Sequence, residues 1–157
     1  MLLCLPACSS DSNSIETLNV RSSPDVSDVP DPEPALPDGA RSLEAVIVDA
    51  PASVGANEHF DFVVELRNRS MEAIDLSPCP WFHAVFGESG TNSDAVGQLP
   101  CDELGSIASG GRTRLRIPMT APTSATAGEG GDWASLSWRL GNTGSIIATI
   151  PLPMDDT

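Results

Sequence analysis

From Ser42 onward the chain alternates apolar and polar residues with a period of two, and turn signals recur every 8–12 residues or so. His59–Asn68 reads HFDFVVELRN. Phe60, Phe62, Val64 and Leu66 fall on one side of an extended chain, and Asp61, Glu65 and Arg67 on the other. Arg112–Met119 repeats the pattern, with Thr113, Leu115 and Ile117 facing inward and Arg112, Arg114 and Arg116 outward. Trp133–Leu140 does so again through Leu136, Trp138 and Leu140. Leu43–Asp49 is an apolar run that stops at Pro51, residues 73–77 make a short strand before Pro78, and Trp81–Phe86 and Ser145–Pro151 supply two more. GESGTNSDAVG, from Gly87, reads as loop, Gly128–Gly131 as a turn, and Gly141–Gly144 as a hairpin connection. No segment has a convincing helical period. The pattern predicts an all-β domain over 42–155, a seven-stranded antiparallel sandwich.

The preceding 33 residues carry a different pattern. Residues 9–41 hold five prolines and seven acids against Arg21 and Arg41, with few large apolar groups. Proline breaks helices and cannot donate to a sheet ladder, and so polar a segment buries too little to offset its ordering entropy. A disordered tether is expected there, spanning roughly 30–35 Å as a flexible coil.

Before the tether stands MLLCLPAC. Leu2, Leu3, Leu5 and Ala7 look like the end of a signal-peptide apolar region, and Leu5-Pro6-Ala7-Cys8 resembles the lipobox of bacterial lipoproteins. The small polar run Ser9–Ser14 suits the stretch after a lipidated cysteine. No basic residue precedes Cys8, so the translated start is expected to lie further upstream. Cys8 is thus the expected lipidation site, residues 1–8 the remnant of the signal, and the outer face of the cytoplasmic membrane the expected address. A plainly secreted protein is the competing reading.

Charge narrows the partners. The net charge is −14 with a pI near 4.1. Lysine and tyrosine are absent, and all eight cations are arginine. Such a chain repels nucleic-acid phosphates, so no nucleic-acid partner is expected. No run of 18 apolar residues is present to make a membrane-spanning helix.

Cys79 and Cys101 form an even pair inside the domain. A bridge between them fits an oxidising compartment and closes a loop of about 23 residues, worth about 3 kcal/mol on a chain-entropy estimate. The competing reading is a redox or metal thiolate, and Cys79 with His83 invites copper. That chemistry also needs a second His and often a Met. His59 is the other His and no Met follows His83 closely, so neither metal nor cofactor is expected. Arg112, Arg114 and Arg116 either pair with Asp61 and Glu65 across a ladder or meet an anionic partner. Trp138 reads as core and Trp81 as a cover for the disulfide, with Trp133 the best exposed aromatic. The candidate binding surface is therefore Trp81, Trp133, Arg112, Arg114 and Arg116. Asn68-Arg69-Ser70 matches a glycosylation sequon but reads as a turn. No G-x-S-x-G, H-E-x-x-H, S-x-x-K or G-x-x-x-x-G-K occurs, and no catalytic residue is assigned.

The succession of VELRNRSMEAIDLSPCPWF, an arginine-rich strand ending near proline, and AGEGGDWASLSWRLG resembles the immunoglobulin-like domains of actinobacterial surface proteins and lipoproteins. The Asn68–Leu76 and Ala127–Leu140 stretches carry that resemblance, which spans 42–155. The two domain cysteines lie too close in sequence for the antibody-type inter-sheet pair. The resemblance is architectural and implies the fold; taken with the anchor, the tether and the lack of a catalytic motif, the expected role is a displayed binding or scaffolding module, monomeric and not an enzyme, with a protein or cell-wall partner. A protease-inhibitor-like module acting through the 87–98 loop and an extracytoplasmic metal- or copper-handling protein are the alternatives.

Overall fold

The structure is a computed structural model that describes residues 15–88, 91–123, 134–142 and 146–155. Chain order is β1 (Thr17–Asn19), β2 (Leu43–Asp49), β3 (Val54–Gly55), β4 (His59–Asn68), β5 (Ile74–Asp75), β6 (Trp81–Glu88) and β7 (Thr91–Gln98). After a single helical turn, α1 (Cys101–Leu104), come β8 (Ser106–Ile107), β9 (Arg112–Thr120), β10 (Ser135–Leu140), β11 (Ile147–Pro151) and β12 (Met154–Asp155). Two four-stranded sheets, in the orders β1-β9-β4-β2 and β11-β10-β6-β7, face each other as a β-sandwich. Two-stranded pairs, β3 with β12 and β5 with β8, complete the structure.

The alternation in β4 and β9 places the core. Phe62, Val64 and Leu66 of β4 and Leu115 and Ile117 of β9 are buried. Phe82 and Phe86 of β6 and Leu136, Trp138 and Leu140 of β10 meet them from the other sheet. Phe60 and Phe86 join the sheets edge to face with centroids 5.3 Å apart. Within the second sheet Phe82 stacks on Trp138 at 6.1 Å.

Three expectations change. Six of the seven predicted strands lie in the main sheets, whereas the 73–77 strand is the short β5 of a side pair. With β1 and β7 the main sheets hold eight strands among the described residues.

The segment read as loop from Gly87 is largely β7, which pairs with β6 from Trp81↔Gln98 to Glu88↔Thr91. Its residues are poor strand formers, but β-propensity yields to cross-strand context. Ala95, Val96 and Gly97 are buried, and Asn92 and Asp94 are exposed nearer the hairpin end.

The tether reading also fails over 15–41. β1 adds to β9 in parallel, Thr17↔Arg114 through Asn19↔Arg116. The Val20 N–H donates to the Arg116 carbonyl at 2.9 Å, and the chain then crosses to the other sheet. There the N–H groups of Ser23 and Val96 each donate to the other's carbonyl at 2.8 Å. Residues 17–23 therefore seam the two sheets along β9 and β7 and cover an edge that would otherwise offer unpaired backbone groups. Val20, Pro37 and Ala40 are buried, and Leu36 packs against the core. The composition argument missed these few well-placed apolar residues, which gain from a surface already built by the sandwich.

Two glycines permit this fit. A Cβ at Gly97 would fall on the Arg21 carbonyl oxygen and lie 2.7 Å from Phe82 Cε1. At Gly141, where φ is +64°, it would lie 2.7 Å from Leu36 Cδ2.

A charged face on β4 and β9

The outward residues of β4 and β9 form a charged face, with Asp61, Glu65 and Arg67 on β4 beside Arg112, Arg114 and Arg116 on β9. Register sets Glu65 opposite Arg114, and Arg67 opposite Arg112. Glu65 is 1% exposed. Its Oε1 accepts from Arg67 Nε at 2.7 Å and its Oε2 from Arg114 Nε at 2.8 Å. Burial alone would push this carboxyl up, but hydrogen bonds and charge from the two guanidiniums outweigh it and hold the group below the ordinary glutamate value. The fork is anchored on the inside, while both arginine side chains stay about a third exposed.

The ladder continues outward. Glu44 on β2 accepts from Arg69 Nε at 2.6 Å, and Arg67 Nη1 lies 4.0 Å away from it. At the other end Arg116 Nη1 is 3.9 Å from Asp61 Oδ2, a solvent-exposed pair of small energetic weight. Arg112 is exposed and has no carboxylate within 4.0 Å among the described residues.

Above this end of the face lies an open groove of about 920 Å³, lined among others by Ile15, Glu16, Arg67, Asn68, Arg69 and Arg112. Its floor is held by Asn68, which is buried. Asn68 Nδ2 donates to the carbonyls of Glu72 and Ile107 at 2.7 and 2.9 Å, and its Oδ1 accepts from Ser70 N at 2.8 Å. The sequon asparagine thus serves as a structural hub joining the end of β4 to the β8 region.

The other sequence-selected residues lie apart from this face. Cys79 and Cys101 form a disulfide, with Cα atoms 5.7 Å apart, linking the segment before β6 to α1 after β7. The bridge closes the base of a hairpin rather than pinning a long loop, so the protruding loop that the inhibitor-like alternative requires is instead ladder. Both sulfurs are committed to each other, which removes Cys79 as a copper ligand. His83 Nε2 lies 3.1 Å from Glu33 Oε2, with the two side chains 14% and 6% exposed. This pair clamps the 31–37 segment onto β6, and sequence reasoning missed Glu33 because it stands among six other tether acids. His59, on β4, pairs its Nδ1 with the Thr120 hydroxyl at 2.7 Å. Trp81 is half-buried at the start of β6. Trp133 and Cys8 lie outside the described residues.

Arg67, Arg69 and Glu44 were not singled out from the sequence. The available signal was the spacing of Arg67 and Arg69 on the strand end, matched to Arg112 only once the β4–β9 register is known.

No family model matches this chain, and a search of curated proteins finds no match. Several solved structures are similar in backbone. A CARDB domain from Pyrococcus furiosus, solved in complex with di-metal ions, is 15% identical with a TM-score of 0.44; the match covers 72% of this chain and 87% of that one. The C-terminal domain of wzt is 15% identical with a TM-score of 0.37, covering 72% and 74%. A β-sandwich protein from Clostridium difficile is 11% identical with a TM-score of 0.30, covering 68% and 77%.

Proposed function

We propose that this chain is a lipid-anchored cell-envelope protein whose immunoglobulin-like sandwich acts as a binding or scaffolding module, with no catalytic activity. Cys8 carries the lipid on the outer face of the cytoplasmic membrane, and the domain works as a monomer toward a protein or cell-wall partner. The observation that carries the binding role is the charged face on β4 and β9. Its guanidiniums are fixed from within by buried Glu65 and remain partly exposed. A preorganised charged surface on rigid strands loses little entropy on binding. The Cys79–Cys101 disulfide supports the oxidising address.

The test is crosslinking in intact cells that make the full chain, beside a version lacking 42–157 and a Cys8→Ala variant. The proposal expects a partner captured only when the domain is present, and loss of the Cys8→Ala protein from the membrane fraction. A partner set that follows residues 1–41 alone refutes the module. A Cys8→Ala protein that stays with the membrane refutes the anchor.

A further inference from the structure

Arg67 and Arg112 stand directly opposite each other in the β4–β9 ladder. Like charges in that position destabilise a sheet unless something between them compensates. The acids of this face are already used. Both oxygens of Glu65 are taken by Arg67 and Arg114, and Glu44 serves Arg69. Among the described residues Arg112 has no carboxylate within 4.0 Å, and it lines the groove together with Arg67 and Arg69. Five of the eight arginines in a chain of net charge −14 lie on or beside these two strands.

We infer that this groove binds the phosphate group of a phosphate ester, gripped by Arg112 and Arg67 with Arg69 at the outer rim. The geometry favours phosphate over carboxylate. A carboxylate brings one charge and two oxygens, which Glu65 already divides between two guanidiniums, whereas a phosphate monoester brings up to two charges and three free oxygens to Arg112, Arg67 and Arg69 together. The volume of about 920 Å³ exceeds what a bare phosphate fills and leaves room for the rest of an ester. Glu16 is the opposing charge in the lining and weakens the site. The assignment rests on the reading of the domain as a binding module and names its ligand chemistry. The ester is either a soluble small molecule or a lipid headgroup, and Ile15, the first described residue, lines the groove.

The test uses the full chain with its disulfide intact, followed by NMR of the arginine Nε–H groups at low ionic strength. The probes are inorganic phosphate, glycerol phosphate, and vesicles of phosphatidylcholine against vesicles of a phosphate-free glycolipid. Saturable shifts at Arg112 and Arg67 are expected. Arg112→Gln is expected to weaken binding about tenfold, the loss of one charge-assisted fork, and Glu16→Gln to tighten it about twofold. Without ligand, Arg112→Gln should melt no lower than the parent, because it relieves the Arg67 repulsion; a merely structural Arg112 would give a lower melting temperature. Arg41→Gln, remote from the face, serves as control. Glycerol phosphate binding without vesicle binding assigns a soluble ester, and phosphatidylcholine-selective binding without it assigns a headgroup. Flat titrations with every probe overturn the inference, as does equal binding by Arg112→Gln and Arg41→Gln. A domain-dependent partner captured in cells alongside flat titrations leaves the binding module standing and removes only the phosphate assignment.

Discussion

Glu65→Gln is the sharpest probe of the charged face. The parent carboxylate is 1% exposed and accepts a hydrogen bond from each of two guanidiniums. Hydrogen bonds to charged groups contribute roughly 1.5–3 kcal/mol each in mutational series, and breaking a fully buried ion pair costs about 3–5 kcal/mol. Here the orphaned arginines are about a third exposed, so water solvates them and the cost falls below the sum. Glutamine keeps one acceptor oxygen and the side-chain volume. The expected loss is therefore about 1.5–3 kcal/mol at neutral pH. A domain of this size melts about 3–5 °C lower per kcal/mol, which predicts a drop of roughly 5–15 °C. The pH dependence supplies a second signature. The folded carboxyl titrates below its ordinary value, so its stabilising effect is complete above the unfolded pKa near 4.5 and is lost as pH falls through the folded one. Urea denaturation at pH 7 and at several steps below pH 5 reads both effects. The difference between parent and variant should shrink as pH falls through that window. A variant as stable as the parent at pH 7, or a difference constant with pH, refutes this account of Glu65.

Other perturbations separate the elements of the fold. Gly97→Val places a side chain on the Arg21 carbonyl and on Phe82, so amide exchange should rise selectively across 17–23; uniform exchange throughout would show that the seam does not depend on this approach. Replacing both Cys79 and Cys101 by serine should cost about 3 kcal/mol in a denaturant titration, from the loop entropy restored to the unfolded chain, and an unchanged midpoint would contradict that. Leu115→Ala empties a fully buried site between the sheets and should cost about 2–5 kcal/mol, whereas Met71→Ala, at 94% exposure, should change stability by less than about 0.5 kcal/mol. Reversal of that order would mean the sheets do not share this core.

Where two faces of a strand have opposite fates, the sequence is easy to read. β4 and β9 alternate apolar and charged residues, and their bounds and inward faces follow from period two, although Val63 and Glu65 on the outward face of β4 are buried as well. β7 was illegible because Thr91–Asp94 is polar on both faces and becomes a strand only by pairing with β6. The N-terminal segment hid for a related reason. Its composition is that of a disordered chain, and what orders it is long-range: backbone bonds to β9 and β7, glycines that admit it, and one glutamate beneath which His83 lies. The arginines of β9 were visible as a stripe. Their partition into bonded Arg114, lightly paired Arg116 and Arg112, which has no carboxylate within 4.0 Å among the described residues, was not, because it depends on β4–β9 register and on where Glu65 is buried.

The ordered N-terminal segment also changes what lipid anchoring would mean. A free tether of 33 residues would hold the sandwich roughly 30–35 Å from the membrane and leave its orientation unconstrained. With the chain fixed to β9 from Thr17 onward, residues 17–41 are not available as such a tether. The described chain starts at the groove end of the charged face, since Ile15 and Glu16 line the groove with Arg67 and Arg112. On the anchored reading, the same segment that covers the sheet edge then turns the arginine groove toward the membrane surface. A chain of net charge −14 near lipid phosphates would gain from turning its arginine-bearing face to them, and residues 17–20 join the domain along β9, the strand that carries three of those arginines.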